Sequence, residues 1–349
     1  MAAEQDTYQV VCCRIVHGGT EREPVVIKHG TESEKESLAR MDAVSSFAPL
    51  HNHHAMLVVR SCLDHLPSAV SVLCFDTLFH SSIPDFRTRY AVSTPPHKTP
   101  VPLVKYGFHG LSYKSVVSQI ANKLGKAESE TNLVVAHLGS GGSVCWIKDG
   151  KSANTSMGLT PLEGLPGGTR SGSVDPSLIF HHTPDCSDTT DWAGREITKA
   201  EMVLNKESGF KALVGTDNFG TITKNAFPED GKDGDKDSIL VYNLYLDRIL
   251  EFVSFYVSSA LAAGPLDGVV LAGGIGEKSA RLRADVLGAL SWIEKLGGGE
   301  GGLDVEANEK GEGLRKITKE GSKVPGWVVE TDEELVVIEM AWKATGNEK

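Results

Sequence analysis

The chain has 349 residues, with 35 Lys and Arg against 46 Asp and Glu, and a formal net charge of −11. That length allows two domains or one large one, and 40% hydrophobic with 23% charged residues argues against disorder. The acidic balance argues against a nucleic-acid surface, which is usually basic, so an anionic ligand requires a locally basic pocket.

The stretch from Met1 to Tyr8 is polar and lacks the basic and apolar regions of a secretory signal. Cys12, Cys13, Cys62, Cys74, Cys145 and Cys186 contain no CxxC pair, which favours free thiols and a cytoplasmic location over a disulfide frame or a zinc site. Val10 to Val16 reads as a buried strand broken by Arg14 and ending in the turn His17-Gly18-Gly19. Ala55 to Leu66 reads as a helix, and the apolar run Ala69 to Phe75 ends at Asp76, the kind of strand end where α/β sheets place their sites. Val92 to Pro102 is a Ser, Thr and Pro-rich loop, followed by Tyr106-Gly107-Phe108-His109-Gly110 and a helix from Ser112 to Leu124. Asn132 to Ala136 and Ser143 to Ile147 form a hairpin with a glycine-rich tip. Ile249, Phe252, Val253, Tyr256, Val257, Ala260 and Leu261 share one helical face within Val241 to Ala263. That segment also carries Asp247, Arg248 and Glu251, so it reads as a core helix and not a membrane span. After it come a strand, Gly268 to Leu271, a glycine turn, Ala272 to Gly276, and a helix from Ser279. Hairpins mixed with crossover helices indicate an α/β fold.

Glycine lets backbone amides approach phosphate oxygens, so the two glycine turns are candidate anion cradles. Neither is a P-loop, and Gly274-Ile275-Gly276-Glu277 lacks the third glycine of a dinucleotide fingerprint. His109 sits where it can donate to charge developing on a transferring phosphoryl oxygen, or simply pack. Arg170 lies in a loop of small residues with little apolar surface to cover, which suits anion binding through its planar fork. Arg14, a charge within an apolar strand, needs a carboxylate partner, from substrate or protein. Asp76 is placed to handle a proton or orient substrate. Glu333, ahead of a strand from Leu335 to Ile338, is either a magnesium ligand or part of a solvated acidic turn.

In chain order, RIVHGG from Arg14, FAPLHN from Phe47, FDTLFH from Phe75, YGFHG from Tyr106, HLGSGGS from His137, TPLEGLPGGTRSGSVDP from Thr160, AGGIGE from Ala272 and TDEEL from Thr331 resemble the acetate kinases. The resemblance covers nearly the whole chain. It implies two ribonuclease-H-like domains of the actin, Hsp70 and sugar kinase superfamily, the first incomplete. Their extents are 1–78 with 334–349, and 79–333 for the nucleotide-binding domain. It implies reversible phosphoryl transfer from ATP to acetate, giving acetyl phosphate and ADP, with Mg²⁺ and a homodimer.

By position, Arg14 and Arg170 match the arginines that grip carboxylate and phosphoryl groups, His109 the histidine that stabilises the transition state, and Asp76 the active-site aspartate. Val16, Leu50, Phe108 and Pro161 match the pocket for the acetate methyl. His137, Leu138, Gly139, Ser140 and Gly141 match one nucleotide loop, Gly274, Ile275, Gly276, Glu277 and Lys278 the other, and Glu333 the magnesium-site glutamate. Asp217, Asn218 and Phe219 match the adenosine-contacting segment.

Departures from the family pattern are specific. No Asn-Ala-Gly-Ser loop precedes Arg14, so the first strand is expected to lack sheet neighbours. Phe219 stands where the family has an arginine, Tyr113 replaces a histidine, and Ser140 and Lys278 replace asparagines. The alternatives these leave open are an inactive remnant that binds nucleotide or pairs with an intact subunit, a pyrophosphate donor, and a propionate or butyrate acceptor.

Overall fold

The computed structural model describes residues 9–47, 52–192, 194–297 and 301–346. Leu50 lies outside these residues. The chain divides into two compact units, Met1–Ser115 with Asp332–Lys349, and Val116–Thr331. The expected boundary after residue 78 therefore moves. Segment 79–115 belongs with the first unit because Leu111 is buried against Val72, Cys74 and Val337, and the Gly110 amide donates to the Asp76 carbonyl at 3.0 Å.

In the first unit, β1 (Val10–Ile15), β2 (Val25–Lys28) and β3 (Val70–Phe75) form a sheet of order β1-β3-β2. β1 runs parallel to β3 along its whole length, Val10 opposite Val70 and Ile15 opposite Phe75, so Arg14 does not break it. Among the described residues no strand covers its other edge. The helices Glu32–Val44 and Asn52–His65 bury Leu38, Met41, Met56, Val59 and Leu63 on one face of the sheet. Val72 and Cys74 point the other way, towards Val336, Val337 and Ala341 of the C-terminal helix Glu333–Ala344. The strand expected from Leu335 to Ile338 is thus the first half of a helix. Asp332 caps it by accepting from the Leu335 amide at 2.8 Å, and the acidic first turn suits the positive end of the helix dipole.

The second unit is built on a six-stranded sheet made of β4 (Leu133–Leu138), β5 (Gly142–Lys148), β6 (Lys151–Thr155), β9 (Gly268–Ala272), β10 (Arg315–Lys316) and β11 (Gly326–Val329). A separate hairpin joins β7 (Thr189–Trp192) to β8 (Arg195–Thr198). The large sheet has the order β10-β11-β9-β4-β5-β6: β4, β9 and β11 are parallel, and β5 and β6 fold back antiparallel. Three antiparallel strands beside parallel neighbours entered by helical crossovers make the ribonuclease-H-like topology.

The helix Lys236–Ala263 lies on this sheet. It buries Ile249, Val253, Tyr256, Val257 and Ala260 as the periodicity predicts, while Leu261 remains exposed. Each fully buried large apolar side chain contributes roughly 1.5–3 kcal/mol, so this helix anchors the unit. β4 and β9 end side by side, His137 opposite Ala272, and both glycine segments leave from those carboxyl ends.

Candidate functional site

Four elements of the first unit bring a charged cluster together. Arg14 on β1 binds the Asp76 carboxylate in a forked contact, Nε to Oδ1 at 3.1 Å and Nη2 to Oδ2 at 2.9 Å. Its Nη1 donates to Glu333 Oε2, and the other Glu333 oxygen accepts from the Ser112 hydroxyl. Asp76, just beyond β3, is only 1% exposed. Burial pushes its carboxyl up to about 6, and the neighbouring Glu333 adds to the rise. The Arg14 charge and the His109 amide, which donates to it, pull the other way. For Arg14 burial works against the charge, but Asp76 and Glu333 outweigh it and hold the guanidinium above its ordinary range.

The His109 loop is tied to the same aspartate twice, because the Gly110 amide also donates to the Asp76 main-chain oxygen at 3.0 Å. That approach explains Gly110: a Cβ there would lie 2.1 Å from the oxygen. His109 itself adopts φ +58, a left-handed conformation unusual for a residue with a side chain. It starts the helix Gly110–Leu124, its carbonyl accepting from the Tyr113 amide at 3.0 Å.

Of the residues expected to form the methyl pocket, Val16 is half-buried and Phe108 is 1% exposed, both in the first unit. His17 follows Val16 in sequence and packs on Phe108. It is fully buried, with ring centroids 5.3 Å from Phe108 and 4.7 Å from Tyr106. Asn52 clamps it, accepting from the His17 amide at 3.0 Å and donating to its carbonyl at 2.8 Å. His80 is buried beneath, Nε2 at 2.8 Å from the Phe108 oxygen, and burial drives its imidazole down to about 4, so it is neutral and donates there. Pro161 belongs to the second unit and is half-buried.

In the second unit, Arg170 sits against the first glycine loop. A Cβ on Gly141 would lie 3.0 Å from Arg170 Nη1, and that atom reaches the Pro161 oxygen at 3.5 Å. The Gly168 amide donates to the Ser140 oxygen at 2.9 Å, and the Phe210 and Lys211 amides donate to the Gly167 and Gly168 oxygens at 3.0 and 2.9 Å, so the two loops and the helix Gly209–Val214 interlock. Burial lowers the tendency of Arg170 to hold its proton, and it lowers that of Lys206, where the Arg170 charge adds to the effect. Two cations in one part of the second unit, each disfavoured by burial, make an anion-seeking spot.

The second glycine segment is not a loop but a short helix, Gly273–Lys278. Gly273 passes so close to the first loop that a Cβ would lie 2.7 Å from the Leu138 oxygen. Ser279 then caps the next helix, Ala280–Ala289, accepting from the Leu282 amide at 3.4 Å. Beneath this turn the buried Arg283 donates to the carbonyls of Gly276 at 2.9 Å and Glu277 at 2.6 Å and to Asn308 Oδ1 at 2.7 Å. Glu277 is pushed up by burial and by Glu330.

A groove of about 1010 Å³ gathers Ser140, Asp217, Asn218, Phe219, Gly274, Ile275 and Lys278. Phe219 contributes little surface to it. It is 4% exposed and packs with Phe210, Tyr242 and Tyr245 in the core. His137 is half-buried and Leu138 fully buried, and of this loop Ser140 lines the groove.

Sequence reasoning missed Ser112, Asn52, His17, His80, Arg281 and Arg283. Asn52 and His80 close the FAPLHN and FDTLFH segments, and His17 lies within RIVHGG. Ser112 meets Glu333 from far along the chain, and the two arginines each combine a nearby partner with a distant one, Phe227 for Arg281 and Asn308 for Arg283, so no motif marks them. Among the described residues no group of three or more His, Cys, Asp or Glu forms a metal cage. Asp76 and Glu333, held by one arginine, do fit the mode in which Mg²⁺ is bound through one or two carboxylates plus substrate phosphates and water.

A family model described as the Acetokinase family matches residues 1–339. A "Probable acetate kinase" from Cryptococcus neoformans var. neoformans serotype D is 50% identical over 348 residues, 98% of this chain and 77% of that protein. A propionate kinase from Francisella tularensis superposes with a TM-score of 0.78 at 31% identity, covering 96% of this chain and 79% of that one. The acetate kinase from Entamoeba histolytica gives 0.80 at 27% identity, covering 96% and 81%.

Proposed function

This chain belongs to the acetokinase family, and from that premise we propose that it transfers the γ-phosphoryl group of ATP reversibly to acetate, giving ADP and acetyl phosphate. The family is one of phosphotransferases with a carboxyl acceptor, in the actin, Hsp70 and sugar kinase fold. The observation that carries the reading is the Arg14, Asp76 and Glu333 cluster with the His109 loop pinned onto it. It joins a guanidinium whose fork is taken by Asp76 and whose other edge holds Glu333, two carboxylates gathered by that one cation, and an imidazole held in a constrained backbone.

In this reading the first unit handles the acceptor. Arg14, its fork on Asp76, would meet the acetate carboxylate through its remaining N–H groups, and Val16 and Phe108 would face its methyl. The second unit holds the donor, with His137 to Gly141, Asp217 to Phe219 and Gly274 to Lys278 around the nucleotide. An acetate oxygen attacks the γ-phosphorus in line, and Arg170 and His109 offset charge on the equatorial oxygens. Asp76 and Glu333 would hold Mg²⁺, which supplies further charge neutralisation on the phosphates. A homodimer and a cytoplasmic location complete the proposal.

The test is hydroxamate trapping of acetyl phosphate by the purified chain, with acetate, propionate and butyrate compared. Arg170→Ala is expected to lower kcat by about 10³-fold or more, as loss of a charge-stabilising arginine does in phosphoryl transfer. Near-normal turnover in that variant removes Arg170 from the chemistry. No product with any of the three acids sinks the activity for this polypeptide.

A further inference from the structure

We infer that Arg281, laid on the ring of Phe227, is the platform on which the base of the nucleotide donor stacks; this rests on the groove of the second unit being the donor site. Position 219, where a cation is expected from the family pattern, holds a buried phenylalanine facing the core. Its neighbour Asn218 is also committed, its side-chain oxygen accepting from the Thr221 amide at 3.0 Å to cap the helix Phe219–Ala226. The base end of the groove must therefore be served by other side chains.

Arg281 and Phe227 both line it. The guanidinium carbon lies 3.5 Å from the centre of the Phe227 ring, and Nε is 3.7 Å from Asp285 Oδ2. Asp285 is itself fixed by the Tyr242 hydroxyl at 2.6 Å, and the Tyr242 ring meets Phe227 edge-on, centroids 4.8 Å apart at 85°. The aromatic ring thus supports the guanidinium from below and a tethered carboxylate holds its edge. The side chain is still 50% exposed. A planar cation held this way is a ready surface for the π-face of a base. Lys224 and Lys278 also line the groove, but an ammonium has no plane and suits phosphate oxygens instead.

The whole chain, titrated calorimetrically with Mg²⁺–ATP and with the base-free Mg²⁺–tripolyphosphate, separates base from phosphate recognition. Arg281→Ala is expected to weaken ATP binding by roughly tenfold, the scale of one lost stacking contact, and to leave tripolyphosphate unchanged. Arg281→Lys keeps the charge without the plane and is expected to behave like the alanine variant. The side chain is half exposed, so both variants should keep the wild-type melting temperature. Equal losses for both ligands, or full ATP affinity in Arg281→Ala, overturn the platform. Rescue by lysine does so as well. Wild-type protein that binds tripolyphosphate but not ATP overturns both the platform and the ATP donor; binding neither also removes the groove as a donor site.

Discussion

Asp76 carries two opposing demands. Its burial favours the protonated form, while Arg14 and the His109 amide favour the carboxylate, and the carboxyl settles at about 6 because burial and the nearby Glu333 win. In the unfolded chain the same group titrates near about 3.9. The folded state therefore holds its proton more tightly. The stability this confers is fully present below pH about 4 and is lost as pH rises through about 6. Asp76→Asn cannot titrate, so the melting temperature of wild type relative to that variant should fall across this window. A difference that rises with pH would show that the Arg14 pair dominates burial. The reaction proposed here needs the carboxylate, so kcat/KM should rise through the same midpoint, and stability and activity should move in opposite directions.

At the scale of elements, the C-terminal helix shows why one part of the cluster was hard to read. Leu-Val-Val-Ile after Glu334 is an apolar run rich in β-branched residues, and Leu335, Ile338 and Trp342 are exposed while Val336, Val337 and Ala341 are buried. Apolar residues on both faces hide the helical period, so propensity pointed to a strand. The cap decides locally, and burial against Val72 and Cys74 of β3 decides globally. The glycine segment after β9 misled in the same way, because glycine signals a turn although close packing on Leu138 here requires it inside a helix. Asp332 also ties the helix start to the helix Gly110–Leu124, its amide donating to Ser115 Oγ at 2.9 Å. Asp332→Ala should cost about 1 kcal/mol, the usual worth of an N-cap. Since Glu333 is the first helical residue, the variant should also raise the Mg²⁺ concentration for half-maximal rate while leaving ATP affinity alone. An unchanged Mg²⁺ requirement would mean that Glu333 keeps its place without the cap, or is not a metal ligand.

Across the molecule, the strands, the hairpin and the motif residues at strand ends were legible because each is announced by a contiguous apolar run followed by glycine or a charge. Ser112 on Glu333, Asn52 on His17 and Arg281 on Phe227 were not, since nothing near them in sequence records the partner. The sequence suggested a first unit of 1–78 with 334–349; the compact unit found is Met1–Ser115 with Asp332–Lys349, and 79–115 joins it through contacts made by Gly110 and Leu111. This division has an energetic consequence. The groove, its glycine segments and Arg281 all belong to Val116–Thr331. ATP at a hundred times its dissociation constant adds about 2.7 kcal/mol to whatever state binds it, and that increment should appear first in the unit that supplies the contacts. Hydrogen exchange with Mg²⁺–ATP and no acetate should therefore slow in 138–141, 217–223 and 273–281. Sheet amides of Val10–Ile15 and Val70–Phe75 should change far less. Uniform protection of both units would mean that they open together as one cooperative body, and the donor could no longer be assigned to one of them.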